Sequence, residues 1–268
     1  MELRPVLVVP VKDRDRFLVE ILARLPTYLE QASGIDDYLI VVAEQIDPDL
    51  FSTALAKDVG AGYGLSCFDP DYLVFNDVDM IPLKDVDYRF DGHDTICFLD
   101  FGSCKVSAGS FRRANGFNPL IRGWGYEDVE FHDRLECMGI DSVRWDRSAE
   151  AEDAHVIDLE LRNATHEKDL EFSRWYWRRD DDRGPKLVSP DWPLEPHDKS
   201  VWYSDDIKAR NLEFVNRIYN MRTAERLAYY QANGLRSLDL SSIEVEQRDE
   251  RIVHVRFDSA KVLAEESG

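Results

Sequence analysis

The pair Asp77 and Asp79 is the first of two carboxylate groups that could carry chemistry in this sequence. The pair follows an apolar run, in the segment Asn76 to Pro82. Two acids separated by one residue at a strand end can present oxygens to Mg²⁺ or Mn²⁺, and such an ion would bridge a diphosphate. The pair therefore favours a metal site.

The second group consists of Glu127, Asp128 and Glu130, shortly after Trp124, which stands between two glycines. A tryptophan between flexible residues can close over a substrate and exclude water. A carboxylate beside such a lid can act as a general base toward a sugar hydroxyl. Together with the first pair, this group indicates an enzyme that moves a sugar from a nucleotide donor.

Both groups also have a simpler interpretation. Asp77 and Asp79 could be solvated acids of a turn or helix cap, while Glu127 and Asp128 could merely stabilise a helix dipole. The apolar run before Asp77 and the position of Trp124 favour function. If the metal takes a nitrogen ligand, residue types alone do not choose among the candidates, which are His93, His132, His155 and His166.

Strand and helix patterns alternate in the half of the chain that must position these residues. Apolar runs predict strands over 6–11, 38–43, 72–75, 95–99 and 141–145. Helical spacing predicts helices over 17–29, 50–59, 107–114, 127–138 and 207–233. Two alternating segments, 235–243 and 251–257, predict a hairpin. Asp77 and Asp79 thus follow the third strand, at the edge where open α/β sheets bind ligands.

Charge and apolar content exclude several other classes of protein. The 268 residues are 44% hydrophobic with a net charge of −20, which predicts a globular protein and argues against a nucleic-acid binder. No stretch approaches the roughly 18 apolar residues of a membrane span, and the N-terminus does not resemble a signal peptide. We therefore predict a cytoplasmic protein. The four cysteines form no C-x-x-C pair, which argues against structural zinc.

Several segments resemble, in order, the motifs of the β-1,4-galactosyltransferase family. Asp77 to Pro82 matches Asp-Val-Asp-x-Ile-Pro, and Gly123 to Asp128 resembles Gly-Trp-Gly-Gly-Glu-Asp with Tyr126 in place of the last glycine. Further similar segments lie at 10–14, 51–60, 106–108, 115–117, 165–169 and 234–238. Each motif is modest, but their order and spacing make the resemblance specific.

The resemblance implies a GT-A fold, which is an α/β, Rossmann-like single domain with a central mixed sheet flanked by helices and a C-terminal β-hairpin. It implies an inverting enzyme that transfers galactose or N-acetylgalactosamine from a UDP-sugar to a sugar hydroxyl of a glycan or glycoconjugate acceptor. Mn²⁺, or else Mg²⁺, would be the cofactor.

The resemblance also assigns roles to residues by position. Asp128 is the catalytic base, and Glu127 contacts the donor sugar. The metal ligands are Asp79 and His166. The residues assigned to the donor nucleotide and its surroundings are Pro10, Lys12, Arg14, Phe51, Asp77, Val78 and Trp124, of which Trp124 lies on a closing loop.

Several positions depart from the family pattern. Thr53 replaces a second basic UDP contact, and Asn163 stands where many members have a methionine as third metal ligand. Val129 replaces an acid that helps to hold N-acetylglucosamine, a form similar to bacterial chondroitin-type hexosaminyltransferases. The tyrosine that selects the donor falls near Gly102 or Ser103, and a small residue there would admit an N-acetylhexosamine.

We predict one domain over 1–268, comprising a nucleotide-binding part (1–82), an acceptor-binding part (83–171), an insertion (172–208) and a C-terminal helix and strands (209–258). Within the same fold, a retaining N-acetylgalactosaminyltransferase or a non-catalytic carbohydrate-binding protein is an alternative. A glycosidase with Glu127 and Asp128 as paired acids is another. Adjacent helical residues point about 100° apart, which places that pair poorly.

Overall fold

A computed structural model of the chain describes residues 3–82, 88–90, 95–100, 103–123, 125–140, 142–145, 156–158 and 205–263. The strands of this part are β1 (Pro5–Val11), β2 (Leu39–Gln45), β3 (Tyr72–Asn76), β4 (Met80–Pro82), β5 (Thr95–Asp100), β6 (Ser103–Ser107), β7 (Ser142–Trp145), β8 (Val156–Asp158), β9 (Glu244–Gln247) and β10 (Ile252–Phe257). The main helices are α1 (Asp15–Leu22), α2 (Leu25–Thr27, continued by a π-helical turn, Tyr28–Ala32), α3 (Thr53–Cys67), α4 (Ala108–Ala114), α5 (Glu127–Cys137), α6 (Asp205–Tyr219), α7 (Thr223–Ala232) and α8 (Ser259–Val262).

Eight of the described strands form one mixed sheet in the order β7-β5-β6-β3-β1-β2-β10-β9, and β4 pairs separately with β8. Strand β1 runs parallel to both β2 and β3, so the carboxyl ends of these three strands share one edge. Strand β6 runs antiparallel to β3, and β9 forms an antiparallel hairpin with β10. These pairings confirm the predicted central mixed sheet and the C-terminal hairpin.

Both faces of the sheet are covered, because successive side chains of β1 point to opposite sides. Val6 and Val8 belong to the core beneath α3, α4 and α5. Leu7 and Val9 belong to a second core that includes Ile21 of α1. A strand buried on both faces explains the continuous apolar run over 6–11.

Helix α3 packs unusually close to the sheet because it presents glycines to β1. A Cβ atom on Gly60 would lie 2.5 Å from Val8 Cγ1, and one on Gly64 would lie 2.6 Å from Val6 Cγ1. Such distances are shorter than any side chain tolerates. The close approach brings the first turn of α3 down to the sheet edge where β1 and β3 end.

Several predicted element boundaries were wrong. The helix predicted over 50–59 starts later, at Thr53, because the Ser52 hydroxyl caps it by accepting from Leu55 N at 3.1 Å. The helix predicted over 207–233 is two helices, α6 and α7. Strand β6 was not predicted. Among the described residues no helix has both the length and the apolar character to cross a membrane.

The segment predicted as a strand over 235–243 forms two short 3-10 helices instead, Leu235–Ser237 and Leu240–Ser242. Its apolar residues pack against the core at irregular spacing, and they are Leu235, Leu238, Leu240 and Ile243. That spacing does not have the strict period of two that a half-buried strand requires. The first strand of the hairpin is β9, which lies further along.

Candidate active site

The Asp77–Asp79 turn lies directly after β3, next to the end of β1, as predicted. Asp79 is fully buried, and its Oδ2 lies 3.4 Å from Arg14 Nη1. The side chains of Arg14 and Asp79 are 8% and 0% exposed. The fold therefore brings together a predicted nucleotide contact and a predicted metal ligand that are 65 residues apart in the sequence.

Asn76 holds the shape of this turn, although its amide was not singled out from the sequence. Its Nδ2 donates to the carbonyl oxygens of Asp77 and Met80, both at 2.9 Å. Its Oδ1 accepts from the hydroxyls of Tyr88 at 3.0 Å and Ser103 at 3.3 Å. Since Asn76 is fully buried, these bonds fix the backbone that carries the two acids.

Other predicted nucleotide residues have different surroundings. Pro10 and Lys12 are buried at the end of β1, and the Lys12 ammonium donates to the carbonyl oxygen of Asp47. Lys12 thus contacts the loop that follows β2. Val78 belongs to the core beneath α1 and is 2% exposed, so its side chain packs rather than facing a ligand.

Phe51 is attached to the start of the Gly123–Gly125 loop. Its carbonyl oxygen accepts from Gly123 N at 2.7 Å. The neighbouring Ser52 Oγ donates to Ile121 O at 2.7 Å. Phe51, which is assigned to the surroundings of the donor nucleotide, and the predicted closing loop are therefore neighbours in space. Trp124 itself lies outside the described residues.

Helix α6 supports the same loop from the other side, a contact that sequence reasoning missed. Asn211 Nδ2 donates to Arg122 O at 3.1 Å and to Gly125 O at 3.3 Å. Arg210 Nη2 donates to Arg122 O at 2.7 Å. Asn211 is almost completely buried. Because asparagine is mostly exposed in proteins, its burial here indicates that it has a structural role in holding the loop.

Glu127 and Asp128 occupy the first turn of α5 and reach the Asp77 turn through Lys57, a residue of α3. Lys57 Nζ lies 3.6 Å from Asp77 Oδ1 and 3.9 Å from Glu127 Oε1. Burial alone would lower the pKa of Lys57, but the carboxylates of Asp77 and Glu127 raise it above its usual range. The two acidic motifs therefore meet around one ammonium group.

The pKa of Glu127 is raised to about 7, first by burial and then by the charge of Asp128. Lys57 lowers this pKa, and Asp77 raises it further. Asp128 is half-buried, and its Oδ1 accepts from Val129 N at 2.8 Å. A perturbed carboxyl beside a second acid in a partly enclosed site is typical of catalytic centres.

Asp77 and Asp79 are chemically suited to a hard divalent cation, because such ions prefer carboxylate oxygens as ligands. Within the residues that the structure describes, no three His, Cys, Asp or Glu side chains are grouped as a metal cage. The predicted pair of ligands is Asp79 with His166, and both His166 and Asn163 lie outside the described residues. Asp79 remains the buried oxygen donor on which the predicted site depends.

Two family models match the sequence. One, described as the N-terminal region of glycosyl transferase group 7, covers residues 2–90, and the other, described as the N-terminal domain of galactosyltransferase, covers residues 101–156. Together they cover more than half of the 268 residues. The chain belongs to the β-1,4-galactosyltransferase family.

Relatives within this family are distant. The chain is 27% identical to β-1,4-galactosyltransferase 7 of Drosophila melanogaster over 153 residues, which are 52% of this chain and 46% of the relative. It is 29% identical to β-1,4-galactosyltransferase 1 of Bos taurus over 153 residues, which are 52% of this chain and 38% of the relative. In these matches the chain spans less than half of the relatives' length.

Solved structures of the family confirm the predicted GT-A galactosyltransferase fold. A mutant of the Drosophila β-1,4-galactosyltransferase 7, in complex with manganese, UDP-Gal and xylobiose, aligns with a TM-score of 0.60 at 18% identity, covering 95% of this chain and 94% of that chain. The catalytic domain of the same enzyme with xylobiose aligns with a TM-score of 0.58, also at 18% identity and with the same coverage.

Tyr126, which the motif resemblance places at a glycine position of the family, has the backbone conformation that favours glycine. Its φ is 74°, in the left-handed region, directly before α5. Gly123 and Gly125 also have positive φ, at 73° and 96°. A bulky residue here costs on the order of 1 kcal/mol, so the turn is retained at the expense of backbone strain.

Glu130 follows Val129, where the resemblance expects an acid, and it lies in the interior of the protein. It is fully buried, and its Oε1 accepts from Arg134 Nη2 at 2.9 Å and Asn118 Nδ2 at 3.0 Å. Val129, in contrast, is 45% exposed. The last acid of the Glu-Asp-Val-Glu form is therefore an interior residue held by Arg134 and Asn118.

Proposed function

We propose that this chain transfers galactose or N-acetylgalactosamine from a UDP-sugar to a sugar hydroxyl of a glycan or glycoconjugate acceptor, with inversion at the anomeric carbon. The supporting observation is the meeting of the two acidic motifs. Asp77 lies within 3.6 Å of the Lys57 ammonium, and Glu127 within 3.9 Å of it. Membership of the family and its fold supply the reaction class.

The donor nucleotide would lie along the edge where β1 and β3 end. Arg14 there lies against Asp79, and Phe51 is bonded to the start of the loop that carries Trp124. Asp79 and His166 would hold Mn²⁺ or Mg²⁺, which when bound would neutralise negative charge on the leaving diphosphate. Lys12 and Arg14 would add positive charge on the same side.

The chemical step is an in-line displacement. Asp128 takes the proton from the acceptor hydroxyl, and the oxygen forms a bond to the anomeric carbon of the donor. The bond from that carbon to the diphosphate breaks, and UDP leaves with the bonding electron pair. Glu127 contacts the donor sugar and orients it. General base catalysis of this kind contributes about 10²–10⁴-fold to a rate.

Ser103 is one of two small residues near the position where the resemblance expects the donor-selecting tyrosine, and the other is Gly102, outside the described residues. Ser103 is 3% exposed, and its hydroxyl donates to Asn76, the residue that shapes the Asp77–Asp79 turn. If a small residue occupies the donor-selecting position, the site would admit the N-acetyl group of an N-acetylhexosamine. We therefore propose N-acetylgalactosamine as a donor sugar beside galactose.

The proposal is tested by measuring UDP release from UDP-galactose, UDP-N-acetylgalactosamine, UDP-glucose and UDP-N-acetylglucosamine with Mn²⁺. The expected result is metal-dependent release from the galactose or N-acetylgalactosamine donor that is lost in Asp79→Ala. A second control is Asp69→Ala, because Asp69 is an exposed aspartate outside the site, and its loss should leave UDP release unchanged. Absence of release from every donor would contradict the proposal.

A further inference from the structure

We propose that Lys57 is a positioning residue, which holds the Glu127 carboxylate at the Asp77 turn and so fixes the group that orients the donor sugar. The role in catalysis rests on the proposed function, whereas the contact does not. Lys57 lies within the similar segment 51–60 but is not among the residues that carry the resemblance there, which are Phe51 to Ala54, Val59 and Gly60.

The geometry supports an ammonium shared between two carboxylates. Lys57 Nζ is 3.6 Å from Asp77 Oδ1 and 3.9 Å from Glu127 Oε1, distances typical of ion pairs and longer than direct hydrogen bonds. The side chains of Lys57, Asp77 and Glu127 are 7%, 13% and 17% exposed. Water therefore screens these charges little, and each depends on the others.

The fold directs Lys57 to this place with little freedom. Gly60, three residues along α3, allows the helix to approach Val8 closely, which lowers Lys57 onto the sheet edge. The Lys57 ammonium also lies 5.3 Å from the centre of the Phe117 ring. Phe117 is fully buried and fixed in the core, so the ring limits where the ammonium can move.

The contact joins two parts of the chain whose relative position must stay fixed during the proposed reaction. Asp77 belongs to the turn after β3, which is held by Asn76, while Glu127 starts α5. A lysine on a third element, α3, bridges them. Without its charge, two partly buried carboxylates would face each other and separate.

The test combines Lys57→Met, which keeps length and removes charge, with Glu127→Gln, and melting is measured at about pH 8, above the Glu127 pKa of about 7. Lys57→Met should lower the melting temperature by about 5 °C or more, because it leaves buried carboxylates uncompensated. In the double variant at least half of this loss should be recovered. The matched control is Lys105→Met, since Lys105 is also buried but donates to Arg89 O at 2.8 Å. Its effect should simply add to that of Glu127→Gln.

A comparison of kcat with Kd for UDP distinguishes the positioning role from a purely structural one. We expect kcat of Lys57→Met to fall about 10- to 100-fold, while Kd for UDP changes by less than about threefold. Additive melting shifts of Lys57→Met and Glu127→Gln would overturn the pairing. Unchanged kcat would overturn the positioning role. If the wild-type chain turns over no UDP-sugar, the proposed function fails and the role in catalysis with it, while the melting cycle still decides the pairing.

Discussion

Glu127 should make the stability of the protein depend on pH in a direction opposite to that of most carboxylates. Burial, Asp128 and Asp77 raise its pKa from an ordinary 4.5 to about 7, against the opposing effect of Lys57. The folded state therefore holds this proton more tightly than the unfolded state. Its favourable contribution is complete below pH 4.5 and is lost as pH rises to 7.

The size of the effect follows from the pKa interval. At about 1.4 kcal/mol for each pH unit, the interval corresponds to about 3 kcal/mol of unfolding free energy. Glu127→Gln removes the titration. The unfolding free energy of the wild type minus that of the variant should thus fall by about 3 kcal/mol between pH 4.5 and pH 7, and then stay level.

Urea unfolding at a series of pH values, in EDTA, measures this difference directly. The matched control is Glu225→Gln, because Glu225 is an exposed glutamate in the first turn of α7. The difference in unfolding free energy between the wild type and Glu225→Gln should change by less than about 0.5 kcal/mol over the same pH range. If the unfolding free energy of the wild type minus that of Glu127→Gln stays constant or rises with pH, the argument that burial dominates the pKa of this carboxyl is refuted.

Three other predictions follow from the site and from the packing beneath it. Asp128→Asn should reduce UDP-sugar turnover about 10²–10⁴-fold while Kd for UDP, measured by calorimetry, changes less than about threefold, and equal loss of both would contradict its role as base. Tyr126→Gly should unfold in urea with about 1 kcal/mol more free energy than Tyr126→Ala, because φ at this position is 74°, and equal stability would show that the turn relaxes. Gly60→Ala should cost about 1–3 kcal/mol in urea unfolding, because its Cβ would lie 2.5 Å from Val8 Cγ1. Gly109→Ala, with nothing closer than 3.9 Å, should be neutral or gain up to about 1 kcal/mol, and similar costs for the two alanines would refute the packing argument.

The parts of the fold that the sequence predicted well are those whose pattern is local. The continuous apolar run of β1 and the run before Asp77 can be recognised without tertiary contacts, because a strand buried on both faces must be apolar throughout. The end of α4 at Asn115-Gly116 was also predictable, because asparagine and glycine often end helices in the left-handed conformation. Asn115 adopts this conformation, with φ at 63°.

The elements that were missed depend on distant contacts. Strand β6 alternates Ser103 and Lys105 with Cys104 and Val106, but five residues with two apolar side chains are too short a pattern to identify a strand. Its pairing with β3 and β5 establishes it. The 235–243 segment was mistaken for a strand because its leucines face the core from two short turns. In both segments, pairing and packing with distant parts of the chain decide the structure, and the local pattern alone does not.

The candidate site shows the same division. Asp77, Asp79, Glu127 and Asp128 were identified by their order along the chain, and the structure places Asp77 and Glu127 around one ammonium. Lys57 itself was missed, since a lysine in the first turns of a helix is most often a solvated residue. Only its burial between two acids identifies it.

The most direct test of the proposed function is the anomeric configuration of the first sugar released when water replaces the acceptor. Proton NMR, recorded before mutarotation, would follow UDP-α-galactose or UDP-α-N-acetylgalactosamine with the wild-type chain and Mn²⁺. The inverting reaction with Asp128 as base predicts that the β-anomer appears first, together with UDP. The α-anomer appearing first, or no sugar and no UDP released from either donor, would contradict it.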